Sequence, residues 1–165
     1  MSFKAESPID DVAAVIQALL DISDRAQPKS DLKKWCKAVL PFALRQLECF
    51  VKPEVSVEAN SKAVSLGHTA LNEKWYGFQE VGNEKKPLFH WEHVLPVSDL
   101  KRRLVELQKP RQIKSIKEEL MKADIAWILK SEDKTLNERK LRNKRPKDPW
   151  GAYRECGIKI VGKSW

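Results

Sequence analysis

A chain of 165 residues, 42% apolar, can bury one ordinary core with a helical appendage, and it has no stretch apolar enough to cross a bilayer. Acids fill MSFKAESPIDD where a signal peptide has its apolar segment, and three scattered cysteines are too few for a disulfide framework and, with no Cys-x-x-Cys pair, argue against a structural zinc knuckle, so a cytoplasmic protein is expected. The net charge of +8 is uneven: residues 1–100 hold 12 Lys/Arg against 14 Asp/Glu, whereas residues 101–165 hold 19 against 9, which favours a polyanionic partner.

The first predicted helix has Ser7 as N-cap, Pro8 at its first position and Asp10 and Asp11 at its positive end. Ile9, Val12, Ala13, Ile16, Leu19 and Leu20 follow the i, i+3, i+4 rule. Residues 24–29 read as a turn. A second helix starts at Ser30, with Leu32, Trp35, Cys36, Val39 and Leu40 as its apolar stripe, and Pro41 is expected to kink or split it. The two helices read as an antiparallel hairpin that serves as scaffold or dimerisation surface. Residues 51–70 give only a weak signal. Residues 73–81 and 88–95 are predicted as the strands of a hairpin, with turn residues at 82–86 between them. Short helices follow over 99–107 and from Pro110. Residues 123–129, ADIAWIL, read as a buried strand. Ser131 can cap a helix reaching about residue 141. A last short helix over 150–156 ends at Gly157, and residues 158–161 form a final strand.

Residues 87–100, PLFHWEHVLPVSDL, carry the chemistry. Glu92 and His93 stand side by side in an apolar run, and neighbours on a strand point to opposite faces. The pair is expected to divide its labour, the carboxylate holding a cation and the imidazole taking a proton. Everything after this run is strongly basic. A proton acceptor, a metal ligand and a basic surround are what a metal-assisted phosphodiesterase needs.

The order of parts sharpens this. A strand ending in Glu-His is followed by two short helices, a second apolar strand, and a helix with an acidic first turn. That helix projects Glu132 or Asp133, and Asn137 one turn on. With WEHVLP at 91–96 and IAWILKSEDKTLN at 125–137, the arrangement resembles the HNH, or ββα-metal, endonucleases. More loosely, KRPKDPWGAYRECGI at 144–158 is similar to the C-terminal region of small phage-type members. The resemblance covers about residues 74–161.

The resemblance implies an α+β fold: a ββα-metal nuclease core over 73–165, an N-terminal helical region over 1–72, and a helical insertion. It implies His93 as general base and Glu92 as metal ligand. The helix ligand falls to Asp133, with Asn137 the next candidate. No histidine follows His93, so the chain diverges from the family at that ligand. Imidazole suits the base because it titrates near neutrality. The carboxylates suit a hard divalent ion, Mg2+ above all. Lys130, Arg139, Arg142, Lys144 and Arg145 are expected to neutralise phosphates. His90 shares the strand face of Glu92 and reads as a polar residue on a half-exposed strand, or as a partner or ligand.

The leading expectation is a metal-dependent endonuclease of DNA, although backbone chemistry alone does not distinguish RNA. A paired cut would favour a homodimer. The alternative is a non-catalytic nucleic-acid-binding or protein-interaction module on the same scaffold.

Overall fold

The computed structural model describes residues 9–68, 71–74, 78, 86–142, 145 and 148–165. Two compact units emerge. One is the chain to Val51 together with Val97–Ala123; the other is Lys52–Pro96 with Asp124–Trp165. The boundary expected at residue 72 therefore falls inside the second unit. No helix among the described residues is long and apolar enough to cross a membrane.

The first unit is helical. It holds α1 (Ile9–Arg25), α2 (Asp31–Arg45), α4 (Val97–Glu106) and α5 (Ile113–Leu120). The short helices of the insertion are amphipathic, and Leu100, Leu104, Ile116 and Leu120 need apolar partners. They find them on the N-terminal hairpin, where α1 packs on α2 and α5, and α2 on α4. Ser30 caps α2, its hydroxyl accepting from Lys33 N at 3.2 Å. The helix then continues through Pro41 to Arg45 without splitting. The proline removes one N–H, while buried Leu40 and Leu44 on either side hold the face in place. The stripe is narrower than predicted: Cys36, Leu40 and Leu44 are buried, whereas Leu32 and Trp35 are half exposed.

The second unit is built on a sheet, so the fold is α+β. Among the described residues the strands are β1 (Glu54–Val55), β2 (Phe89–His93) and β3 (Ile125–Leu129), in the order β1-β3-β2. β3 is central, parallel to β1 and antiparallel to β2. A central strand is covered on both faces, which explains why IAWIL is apolar throughout. The first strand of the predicted hairpin lies mostly outside the described residues, and Leu71–Glu73 is a 3-10 turn. The described partner of β2 is β3, with residues 94–124 between them.

Among the described residues three helices complete this unit: α3 (Val57–Ser65), α6 (Lys130–Glu138) and α7 (Gly151–Glu155). β1 and α3 arise where the sequence signal was weak, with Ser56 capping α3 through Ala59 N at 3.0 Å. Residues 158–161 make one bridge, Ser56 to Ile160, in place of a strand. The sheet has two distinct faces. On one, Val94, Ala126 and Ile128 pack with Leu136 of α6, Ala152 and Tyr153 of α7, and Ile158 and Ile160. On the other, Trp91 meets Trp127 edge-on at 4.9 Å, and Phe78 and Phe89 extend the aromatic layer. The indole of Trp127 donates to Lys74 O at 3.0 Å, so its polar edge is satisfied.

Candidate metal centre

Alternation along β2 decides which side chains meet. Phe89, Trp91 and His93 share the aromatic face, while His90 and Glu92 turn toward α6 and α7. Glu92 is paired in register with Ala126, and this small neighbour leaves room for the carboxylate. β3 then runs straight into α6, where Lys130 N closes the ladder on Leu88 O at 2.9 Å. That abrupt strand-to-helix junction brings the first turn of α6 over the end of β2.

The junction gathers His90, Glu92 and Asp133, with one ligand atom of each within 4.8 Å of the others. His90 Nε2 is 3.0 Å from Glu92 Oε2 and 3.6 Å from Asp133 Oδ1. The three side chains are 17%, 8% and 11% exposed, so water screens their charges poorly. Lys130 Nζ lies 2.9 Å from His90 Nδ1. An ammonium only donates, so Nδ1 accepts and Nε2 carries its proton toward Glu92.

Around this group each neighbour has a separate task. Arg145 Nη2 donates to Glu92 Oε1, leaving Oε2 facing His90 and Asp133. The Arg145 side chain is fully buried and its guanidinium stands 5.5 Å from the Tyr153 ring centroid. Arg145 Nε and Nη1 and the Tyr153 hydroxyl are buried without hydrogen-bond partners among the described residues. Such donors are uncommon in a finished core and would satisfy an anionic oxygen or a water. Burial pushes the Tyr153 phenol well above its ordinary pKa, so the hydroxyl keeps its proton. Asn137 Nδ2 donates to Asp133 O at 2.9 Å and to Oδ1 at 3.2 Å, which fixes the carboxylate from behind.

The residues expected from sequence thus separate. Glu92 and Asp133 come together; Asn137 touches Asp133 and holds it. His93 lies on the other face of β2 from Glu92, opposite Ile125. The imidazole of the group is His90, and the i, i+2 spacing from Glu92 was its signal. Lys130 is exposed beside the group, and Arg142 is exposed beyond α6. Arg139 donates to Glu155 O and ties α6 to α7. Arg145 is turned inward, and Lys144 lies outside the described residues. Nothing local in the sequence announces Arg145 or Tyr153 as neighbours of Glu92, because both arrive by long-range packing.

Glu132, the other acid of the first turn, serves the fold. Its Oε2 accepts from Ser56 Oγ at 2.6 Å and from Leu129 N at 2.7 Å. The second bond is the carboxylate half of a capping box, and the helix begins at Lys130 with Leu129, not Ser131, as cap. Burial pushes the Glu132 carboxyl up despite these two donors. The folded state therefore holds this proton more tightly than the unfolded chain, so the stability it contributes is complete at low pH and is lost as pH rises through the raised pKa. Glu132→Gln keeps an oxygen for both donors and cannot ionise. Its stability is expected to equal or exceed wild type at neutral pH, with the Glu132-dependent slope gone from acid-range melting curves. Glu132→Ala orphans the buried Ser56 hydroxyl and the Leu129 N–H and is expected to cost about 1–3 kcal/mol.

Neither a protein-family model, nor a curated protein, nor a solved structure matches this chain.

Proposed function

We propose that the chain is a divalent-cation-dependent phosphodiesterase acting on nucleic acid, with DNA as its first substrate. The observation that carries this reading is the buried group of one imidazole and two carboxylates at the start of α6, with cationic Lys130 at its rim. The order β2, antiparallel β3, then α6 is also the strand–strand–helix order implied by the HNH resemblance, with residues 94–124 inserted between the strands.

The donor set fits a small divalent ion. His90 Nε2, its proton moved to Nδ1 as Lys130 withdraws, would hold it with Glu92 Oε2 and Asp133 Oδ1. Two carboxylates suit Mg2+ or Mn2+, and the imidazole moves the preference toward Mn2+. A cation bound there would polarise a phosphodiester and stabilise charge developing on the departing oxygen. The protein's own residues do the rest. Arg145 and Asn137 fix the two carboxylates from outside the group. Lys130, freed from His90, meets a phosphate oxygen with a mobile positive charge. The basic 101–165 region draws the polyanion in.

One observation favours a second reading. Arg145 on Glu92, the His90 proton between the carboxylates, and Lys130 on Nδ1 already balance the group's charges. On this reading it is a closed ion-pair network on a non-catalytic nucleic-acid-binding scaffold.

Nicking of supercoiled plasmid with Mg2+, Mn2+ or chelator separates the two. Wild type is expected to cut only with a cation, and better with Mn2+. His90→Ala should lose at least about 100-fold. His93→Ala should lose less than the roughly 10²–10⁴-fold that a general base contributes. A full loss in His93→Ala would return the proton-transfer role to that residue. A wild type that binds oligonucleotides but never cuts would leave the second reading.

A further inference from the structure

The C-terminal turn of the sheet unit carries a second constellation that the metal group does not use. Gly162, at φ +75°, reverses the chain after Ile160, so that Lys163 and Trp165 come back over Trp150. Trp150 is a fixed base for this layer, because its indole donates to Asp124 Oδ2 at 3.1 Å. Trp165 lies against it, ring centroids 5.8 Å apart and planes inclined by 33°. Cations cover both rings: Lys163 Nζ is 4.6 Å from the Trp150 centroid, and the Arg154 guanidinium is 5.7 Å from that of Trp165. Trp165 nevertheless remains 45% exposed. It walls an open groove of about 440 Å³ shared with Arg154, Lys159, Lys163, Val57 and Ile158.

A half-exposed indole beside three cationic side chains has a specific complement. The exposed part of the indole suits a flat heteroaromatic ring, and the cations suit a chain of single negative charges spaced a few ångströms apart. Two of the cations are shared with carboxylates, Lys163 with Glu54 at 3.1 Å and Arg154 with Asp148. A phosphate can take over the exposed Arg154 contact at little net cost, since exposed ion pairs contribute little to stability, and can share the half-buried Lys163 ammonium with Glu54. Lys159 is exposed between buried Ile158 and Ile160, so it points outward by alternation. An acidic peptide would match the charge but would leave the indole without a stacking partner.

We propose that this groove binds single-stranded nucleic acid, one base stacking on Trp165 while Arg154, Lys159 and Lys163 follow the backbone. Stacking on aromatic side chains tolerates any base, so the site is general in sequence. It needs no cation and stands whether or not the chain cleaves.

The test is fluorescence anisotropy of labelled oligothymidylate with the full chain in chelator, beside a blunt duplex of the same length and a heparin competitor. Single strand should bind more tightly than duplex. Trp165→Ala should weaken oligothymidylate by about 5- to 150-fold, the effect of one stacked base. Trp165→Phe should recover most of that loss. Heparin binding should be unchanged in Trp165→Ala, whereas Lys159→Ser should weaken both ligands and reduce the salt slope by about 1. Thermal melting of each variant controls for folding. Equal affinity of wild type and Trp165→Ala for oligothymidylate overturns the proposal, as does duplex binding as tight as single-strand binding. Either result would reduce the surface to a charged face, and plasmid nicking in the same variants would still report on the metal centre separately.

Discussion

Asp133→Asn is expected to weaken Mn2+ binding by at least about 100-fold and to lower cation-dependent cleavage to the same degree. The reasoning starts from what the substitution keeps. Asparagine has the size of aspartate and retains an oxygen, so the first turn of α6 still packs on β2. What it removes is one of the two formal negative charges within reach of His90 Nε2. Folding should barely change. Loss of an acid from the helix start costs about 0.3–1 kcal/mol, and relief of repulsion with Glu92 offsets part of it. Calorimetric titration of Mn2+ beside a melting curve separates the two effects. Asn137→Ala supplies a graded comparison. It leaves all three ligands in place but frees the Asp133 carboxylate that Asn137 holds at 3.2 Å. Loss of such an orienting partner typically costs about 10- to 100-fold in metal affinity. The expected order is therefore wild type, Asn137→Ala, Asp133→Asn. Equal Mn2+ affinity across the three would mean that the carboxylates of this group face one another for structural reasons and hold no ion.

What the sequence made legible here is what local chemistry determines. The periodicity of Ile9, Ala13, Ile16 and Leu20 located α1, and the continuous apolar run at 125–129 located the central strand. The strand–strand–helix order put an acid of the α6 first turn, Glu132 or Asp133, near Glu92, and only the resemblance to the ββα-metal nucleases singled out Asp133. The imidazole was harder. His93 is adjacent to Glu92 in the chain, but period two puts it on the other face, and His90 shares the face instead. Adjacency and alternation compete, and in an extended strand alternation wins. The inward turn of Arg145 onto Glu92 and the approach of Tyr153 were out of reach for another reason. Both meet the site through contacts spanning about fifty residues or more, and no local spacing encodes such an encounter. The same holds for the insertion. Its helices read clearly in the sequence, but their grouping with the N-terminal hairpin depends on which apolar stripes complement one another.

Arg145→Met should produce a large loss of stability in the second unit, and a divalent cation should restore part of it. The Arg145 side chain is fully buried and that of Glu92 is 8% exposed, so the pair is withdrawn from water on both sides. Removing one partner of a buried pair leaves the other charge uncompensated and costs about 3–5 kcal/mol. For a chain of this size that is a fall of roughly 6–20 °C in melting temperature. The two unpartnered guanidinium nitrogens disappear with the substitution, which lowers the cost toward the smaller figure. The informative measurement is the difference with and without Mn2+. A cation at the group supplies the positive charge that Glu92 has lost, so it should bind the variant's folded state more tightly than it binds wild type. At about 100 times its Kd, a ligand that binds only the folded state contributes roughly 2.7 kcal/mol, enough to recover most of the deficit. Glu92→Gln in the same background should remove most of the rescue and also relieve the original destabilisation, because the carboxylate that Arg145 had balanced is then gone, while Asp133 keeps its own partners His90 and Asn137. If Mn2+ raises the melting temperature of wild type and Arg145→Met equally, Glu92 is not the shared partner of arginine and cation. If it raises neither, the arginine alone balances the carboxylate, and the group is a sealed ion pair.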